Sequence, residues 1–262
     1  MARRLVGLQA QDARPPFVGL WARLEGLAVE DVHVALAARE LVRAPWARGT
    51  LHLVAADDYL GLRAALAPVL EQAALGLGRR MEGIDPARVL PVARELLDGR
   101  PRTQEELRQD LAGRFPGTDE RALGHVTRLM LAVVMVPSED RWGFPPASRF
   151  TLADRWLGRP PDRDTSPAEL VRRYLAALAP ATPADAQAWS GLPGLRAAFE
   201  ELRGELATFR DEAGASCSTS PRRRGRRRTL RRPPASCRTS TTSFSATTTA
   251  RAWSPTSTAP QW

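Results

Sequence analysis

The chain has 262 residues and a formal charge of +9, from 38 basic side chains against 29 acidic ones. Ten of the basic residues lie beyond Ala215 and none of the acidic ones do, so residues 1–214 carry 28 arginines against 29 acids, a net charge of −1. The overall charge is thus excluded as a sign of a nucleic-acid partner; such a contact has to come from locally segregated arginines.

Lysine is absent, and the chain leans on Ala, Gly, Pro, Leu and Arg, the signature of a very GC-rich gene and not of a function. Both cysteines, Cys217 and Cys237, fall in the last 48 residues, which leaves residues 1–214 without a thiol for a disulfide, a zinc site or a nucleophile. The three histidines are scattered and none pairs with a carboxylate at ligand spacing, so neither a metal nor a cofactor is expected. No apolar run reaches membrane-spanning length and no signal-peptide core precedes residue 30, so a cytoplasmic monomer is expected.

The fold class expected is mainly α with short β-hairpins, an α+β chain of tandem winged-helix modules. In the first module (1–78), Glu30 to Ala38 has the periodicity of an amphipathic helix, Leu51 to Val54 follows Gly49 as a strand, and Ala56 to Val69 returns to helix. Trp21 and Trp46 are expected in its core. His33 lies on an otherwise apolar helix and is read as packed or surface-exposed.

The second module (79–160) is cleaner. A helix from Pro86 to Leu97 ends near Gly99, Thr103 with Glu106 forms a capping box for a helix through Ala112, and Thr118–Asp119 start another that runs to about Leu131. Ala132 to Pro137 is expected as a strand, Ser138 to Arg141 as a turn, and Trp142 to Phe144 as the return strand, with Trp142 either in the wing core or on a minor groove. Helix, turn, helix and hairpin is the winged-helix order, in which the second helix of the pair can enter a major groove. Arg121, His125 and Arg128 fall on spacings of four and three, one stripe of that helix. The same spacing also occurs in folds that never touch DNA.

The third module (161–214) repeats the plan. Ser166 caps a helix with Pro167 first and Glu169 completing the box, and Thr182 caps Pro183 to Trp189. A turn, Ser190 to Pro193, precedes a helix from Gly194 to Leu206, and Ala207 to Arg210 opens a wing whose second strand is expected to be missing.

At Ser216 the texture changes: four serines occur before it and nine from it onward, with a basic tract, PRRRGRRRTLRR, from Pro221. One view is a basic tail that touches nucleic acid without specificity. The other, favoured, is a lost reading frame. Back-translation with GC-rich codons and a one-base slip turns the stretch from Cys237 into LPDFDNLLLGHDDRARVVPDEHRP, with protein-like alternation. Residues 215–262 are therefore expected to be a disordered, frameshifted tail.

Leu5-Val6-Gly7-Leu8-Gln9-Ala10-Gln11-Asp12 with Gly19-Leu20-Trp21-Ala22-Arg23-Leu24, Arg48-Gly49-Thr50-Leu51-His52-Leu53-Val54, Asp58-Tyr59, Pro180-Ala181-Thr182 and Trp189-Ser190-Gly191-Leu192-Pro193 together resemble the AlkZ-like family of DNA glycosylases. The slipped-frame LPDFDNLLL resembles that family's next segment. The resemblance implies a bacterial repair enzyme of tandem winged helices, acting on double-stranded DNA, that excises bulky or cationic N-alkylated bases. It assigns catalysis to Gln9 and Gln11, the glutamine-x-glutamine motif of one branch, where a related branch has aspartate second. Two departures are expected: the family's leading helix is missing or reduced to Ala2-Arg3-Arg4, and its C-terminal β-barrel is replaced by the altered tail.

The chemistry agrees with the motif. Breaking an N-glycosidic bond develops positive charge on the sugar, which a carboxylate ordinarily stabilises while it activates water. A glutamine is neutral and no base at pH 7, but its carbonyl dipole and amide can face the cation and orient water. That suffices for a cationic N3- or N7-alkylated purine, which leaves as a neutral base. Arg48, Thr50 and His52 alternate along the expected strand and so share a face; they either touch phosphate or sugar beside the glutamines, or satisfy a buried polar cluster. The alternative functions are a non-catalytic winged-helix DNA-binding protein or regulator, and an inactive truncated product.

Overall fold

The computed structural model describes residues 4–210 and 216–219. Leu8–Gln9 (β1) leads into Arg14–Trp21 (α1) and Val29–Ala37 (α2), followed by two apolar runs, Leu41–Pro45 (β2) and Leu51–Ala55 (β3). Every residue of β2 and β3 is buried. Burial of both faces explains why these strands are near-continuously apolar and do not alternate. Their antiparallel hairpin turns through a 3-10 segment, Ala47–Gly49, with Arg48 at φ 56° and Gly49 at φ 69°. A Cβ on Gly49 would sit 2.8 Å from the Ala73 Cβ, so glycine there meets both the left-handed backbone and the close approach.

The single helix expected over 56–69 is two, Ala56–Leu62 (α3) and Ala67–Leu75 (α4). Pro68 is the cause, because its ring excludes the carbonyl four residues back and it has no N–H to continue the ladder. Next come Pro86–Gly99 (α5), Arg102–Thr103 (β4), Gln104–Arg114 (α6), Glu120–Met130 (α7), Val133–Met135 (β5), Arg149–Leu152 (β6) and Ala153–Leu157 (α8). The capping box at α6 is made in both directions: the Glu106 N–H donates to Thr103 Oγ1 at 3.1 Å and the Thr103 N–H to Glu106 Oε2 at 2.7 Å. Asp119 caps α7 by accepting the Ala122 N–H at 2.9 Å.

The return strand is not Trp142 to Phe144. Those residues lie in a loop with Gly143 at φ 74°, and the strand that pairs with β5 is β6, in register Val133↔Leu152 and Met135↔Phe150. Pro145 and Pro146 cannot donate to a ladder, so pairing resumes only beyond them, where Phe150 and Leu152 are buried.

All six of these strands form one sheet, in the order β1-β3-β2-β5-β6-β4. The contact that unites its halves is β2 with β5, through the pair Arg43↔Met135. The sheet therefore crosses the module boundary expected near residue 78.

Pro167–Leu178 (α9), Pro183–Ser190 (α10), Arg196–Glu201 (α11), Ala207–Arg210 (β7) and Ser216–Thr219 (β8) complete the described chain. Ser166 caps α9 through the Ala168 N–H, but Glu169 does not close the box; its carboxylate pairs with Arg172. At α10 the Thr182–Asp185 pair forms a full box. The long helix expected over 194–206 is α11 followed by a 3-10 turn, Arg203–Glu205.

The second strand expected to be missing is present. β8 pairs antiparallel with β7, with Cys217 buried opposite Phe209, and Ser218 exchanges backbone hydrogen bonds with Ala181 at 2.8 and 3.0 Å. The rest of the expected tail lies outside the described residues.

One hydrophobic core runs through these elements, including Trp46, Tyr59, Leu66, Leu70, Leu123, Leu129, Leu152 and Leu175. Trp21, expected there, ends α1 and is 66% exposed, while Phe17 and Leu20 of the same helix are buried. Trp142 is half-buried, edge-on to Phe17 at 5.3 Å. His33 is also half-buried, with Nε2 3.2 Å from the Arg141 carbonyl. Among the described residues no helix is long and apolar enough to cross a membrane.

Candidate active site

The two glutamines stand at an edge of the sheet. β1 is antiparallel to β3 in register Leu8↔Leu53 and Gln9↔His52, so Gln9 and His52 project from the same face. The Ala10 N–H extends the pairing, donating to the Leu51 carbonyl at 2.7 Å. Beyond it the Gln11 side chain completes the ladder, with Oε1 accepting the Leu51 N–H at 2.9 Å. That bond orients the amide: the oxygen faces the strand and the NH2 group remains a donor. Both glutamines are exposed, and the Gln9 amide has no partner among the described residues.

Arg43 lies beneath this segment. It sits in β2, 5% exposed, and donates through Nε to the Ala10 carbonyl at 2.8 Å and through Nη2 to the Gln11 carbonyl at 3.0 Å. Its guanidinium lies 5.2 Å from the centre of the Phe144 ring. Burial lowers its pKa, and the charge of Asp12 partly opposes that shift. Sequence reasoning did not single out Arg43; the available signal was one cation inside the apolar run Leu41-Val42-Arg43-Ala44-Pro45.

His52 is 2% exposed, with Nδ1 3.1 Å from the Thr50 carbonyl. Nδ1 therefore carries the proton and donates, which leaves Nε2 as an acceptor. Burial pulls the His52 pKa down to about 4; the Thr50 carbonyl opposes this and the Arg48 charge adds to it. The ring is neutral throughout the physiological range. Because the folded pKa lies below the unfolded one of about 6.5, the contribution is complete above pH 6.5 and is lost as pH falls toward 4, about 3 kcal/mol in all. Urea midpoints measured from pH 7 to 4 should fall more steeply for the parent than for His52→Gln; parallel curves would show that His52 is not the group involved.

Arg48, Thr50 and His52 do not share a strand face. Only His52 lies within β3; Thr50 flanks it, and Arg48 occupies the left-handed turn. The exposed Arg48 side chain donates to the Trp189 carbonyl and so ties the β2–β3 turn to the end of α10.

The stripe on α7 divides. Arg121 is exposed, whereas His125 and Arg128 are half-buried where α7 packs along α4. Arg128 Nη2 donates to His125 Nδ1 at 3.3 Å. Burial lowers both pKa values, the Arg128 charge lowers that of His125 further, and a backbone hydrogen bond to Ala73 partly opposes the lowering at His125. The helix that the sequence places in a major groove is thus largely enclosed by α4, α5 and α6.

Arg14, three residues past Gln11 in the chain, and Arg141 lie 5.8 and 5.1 Å from the Trp142 ring centre. Asp58, part of the sequence pattern, is engaged elsewhere, in a two-pronged ion pair with Arg173 of α9. No cluster of three or more metal-ligating side chains occurs among the described residues.

An antiparallel sheet backed by helices, with Gln9 on its edge strand and Gln11 just past the strand's end, is the setting of a neutral polar site. The chain belongs to the AlkZ-like DNA glycosylase family, whose model, described as DNA glycosylase AlkZ-like, matches residues 2–239. Its fold is shared with the solved structure of Streptomyces sahachiroi DNA glycosylase AlkZ, at a TM-score of 0.66 and 24% identity over 84% of this chain. The match spans 63% of that protein's length. No curated protein sequence matches the chain.

Proposed function

We propose that the chain is a monofunctional DNA glycosylase that hydrolyses the N-glycosidic bond of N3- or N7-alkylated purines, or of crosslinked bases, in duplex DNA. The observation that carries this reading is the Gln11 amide, whose oxygen is fixed by the Leu51 N–H so that its NH2 faces outward. A donor held in that way can orient a water, while the unpartnered Gln9 carbonyl turns its dipole toward positive charge developing on the sugar. Neutral His52, on the same face as Gln9, adds no competing cation there. Without a carboxylate in the motif the stabilisation is modest, which restricts the enzyme to leaving groups already made cationic by alkylation.

The order α5, β4, α6, α7 and the β5–β6 hairpin supports a winged-helix reading of residues 79–160, with a DNA surface formed by exposed cations and not by the enclosed stripe of α7. Arg121, the Arg14–Trp142–Arg141 stack and the N–H groups Arg48 does not spend on Trp189 are suited to phosphates. The test is incubation of the purified protein with duplex DNA that carries N7-methylguanine. Release of free base that leaves an uncut abasic strand is expected. Binding without release would favour the non-catalytic alternative, and strand cleavage at neutral pH would overturn the monofunctional assignment.

A further inference from the structure

We propose that Arg43 is the positioning residue of the glutamine motif, a buried fork that fixes the backbone from which Gln11 projects and couples it to the junction of the sheet. β1 is a two-residue edge strand, and past Gln9 the ladder offers only the Ala10 N–H and the Gln11 side chain to hold the segment. Left to those bonds alone, such an edge frays. Arg43 reaches from β2, on the far side of β3 in the same sheet, and takes two successive carbonyls, Ala10 and Gln11, with two different nitrogens of one planar group. Fixing both carbonyls fixes both peptide planes, and with them the direction in which the Gln11 side chain leaves the backbone.

Packing alone does not account for an arginine here. A cation buried in an apolar strand is expensive to desolvate, and an aliphatic side chain of similar volume generally fills such a place at least as stably. Among the described residues Arg43 has no ion-pair partner within 4 Å; its hydrogen bonds go to the motif, and its flat face goes to Phe144. Its own backbone is registered with Met135, where β2 meets β5. One residue therefore touches the motif, the wing loop and the seam between the two halves of the sheet. Lysine cannot replace it, because a single ammonium does not present two N–H groups in the fixed geometry that spans adjacent carbonyls.

The test compares Arg43→Lys and Arg43→Met with Arg63→Met. Arg63 is an equally buried arginine whose Nη2 donates to the Leu129 carbonyl at 2.6 Å, at the end of α7. Hydrogen exchange of the protein without DNA is the first readout: Arg43→Lys should raise exchange at Ala10 and Leu51 at least tenfold and leave the remainder of the β2–β3 hairpin as in the parent. Release of N7-methylguanine is the second, and it rests on the function proposed above. There kcat should fall at least tenfold in Arg43→Lys, with KM within threefold of the parent. Arg63→Met should lower the melting temperature and leave kcat of the folded enzyme unchanged. Parent-like exchange or parent-like kcat in Arg43→Lys overturns the assignment. Absence of release by the parent overturns the glycosylase reading and leaves the exchange result to decide the role of Arg43.

Discussion

Replacement of Gln9 and Gln11 together by alanine is expected to abolish release of N7-methylguanine while leaving DNA affinity and melting temperature close to those of the parent. Both side chains are exposed, so truncation removes little packing, and the loss of one hydrogen bond to Leu51 costs about 1 kcal/mol. The rate is another matter. Removing a single dipole held ready for the transition state typically lowers turnover by roughly 10²–10³-fold, and groups that act on one water and one sugar do not lose their effects additively. Each single variant is thus expected to show most of the loss, with Gln11→Ala also freeing the Leu51 N–H that holds the edge. Single-turnover release, measured beside fluorescence-anisotropy binding, separates the two effects. Unchanged release in the double variant would remove the motif from the mechanism.

The second large effect is on stability. Trp46→Ala should destabilise the fold by about 3–5 kcal/mol, the range for a large aromatic deleted from a closed core. Trp46 is 0% exposed, its Nε1 donates to the Val6 carbonyl at 3.1 Å, and its ring lies 5.9 Å from that of Tyr59. For a domain of this size the melting temperature should fall by roughly 6–20 °C. Because Val6 sits at φ 54° just ahead of β1, the same substitution loosens the approach to Gln9, and base release should suffer more than melting alone accounts for. Trp21→Ala is the contrast: at 66% exposure it should shift stability by no more than about 0.5 kcal/mol. Equal melting shifts for the two tryptophans would contradict the packing described.

Local chemistry explains what was legible in the sequence. Helices α6, α7, α9 and α10 were visible because their starts carry Thr103, Asp119, Ser166 and Thr182, whose side chains cap backbone N–H groups within a few residues. Pairing between distant segments was not legible. β2 looks like any short apolar run, β6 follows two prolines that hide its start, and β8 is written in Ser, Cys and Thr, which resemble tail composition although a free edge on β7 asks only for backbone partners. Gln9 and Gln11 were found through the pattern around them. Arg43 was missed because its meaning depends on carbonyls more than thirty residues away.

The seam at Arg43↔Met135 joins positions 92 residues apart. At about 5–20 residues per second of synthesis, the outer edge of β2 waits roughly 5–20 s for its partner to be made. During that interval the nascent chain carries an apolar strand with a row of unpaired N–H and C=O groups, the template on which unrelated chains add as strands. Arg43 is the only charge in β2 and, with Pro45 at its end, guards the strand's free edge until β5 arrives. Arg43→Met, which removes that charge, should therefore also lower the yield of soluble chain before any substrate is met, whereas Arg43→Lys, which keeps it, should not.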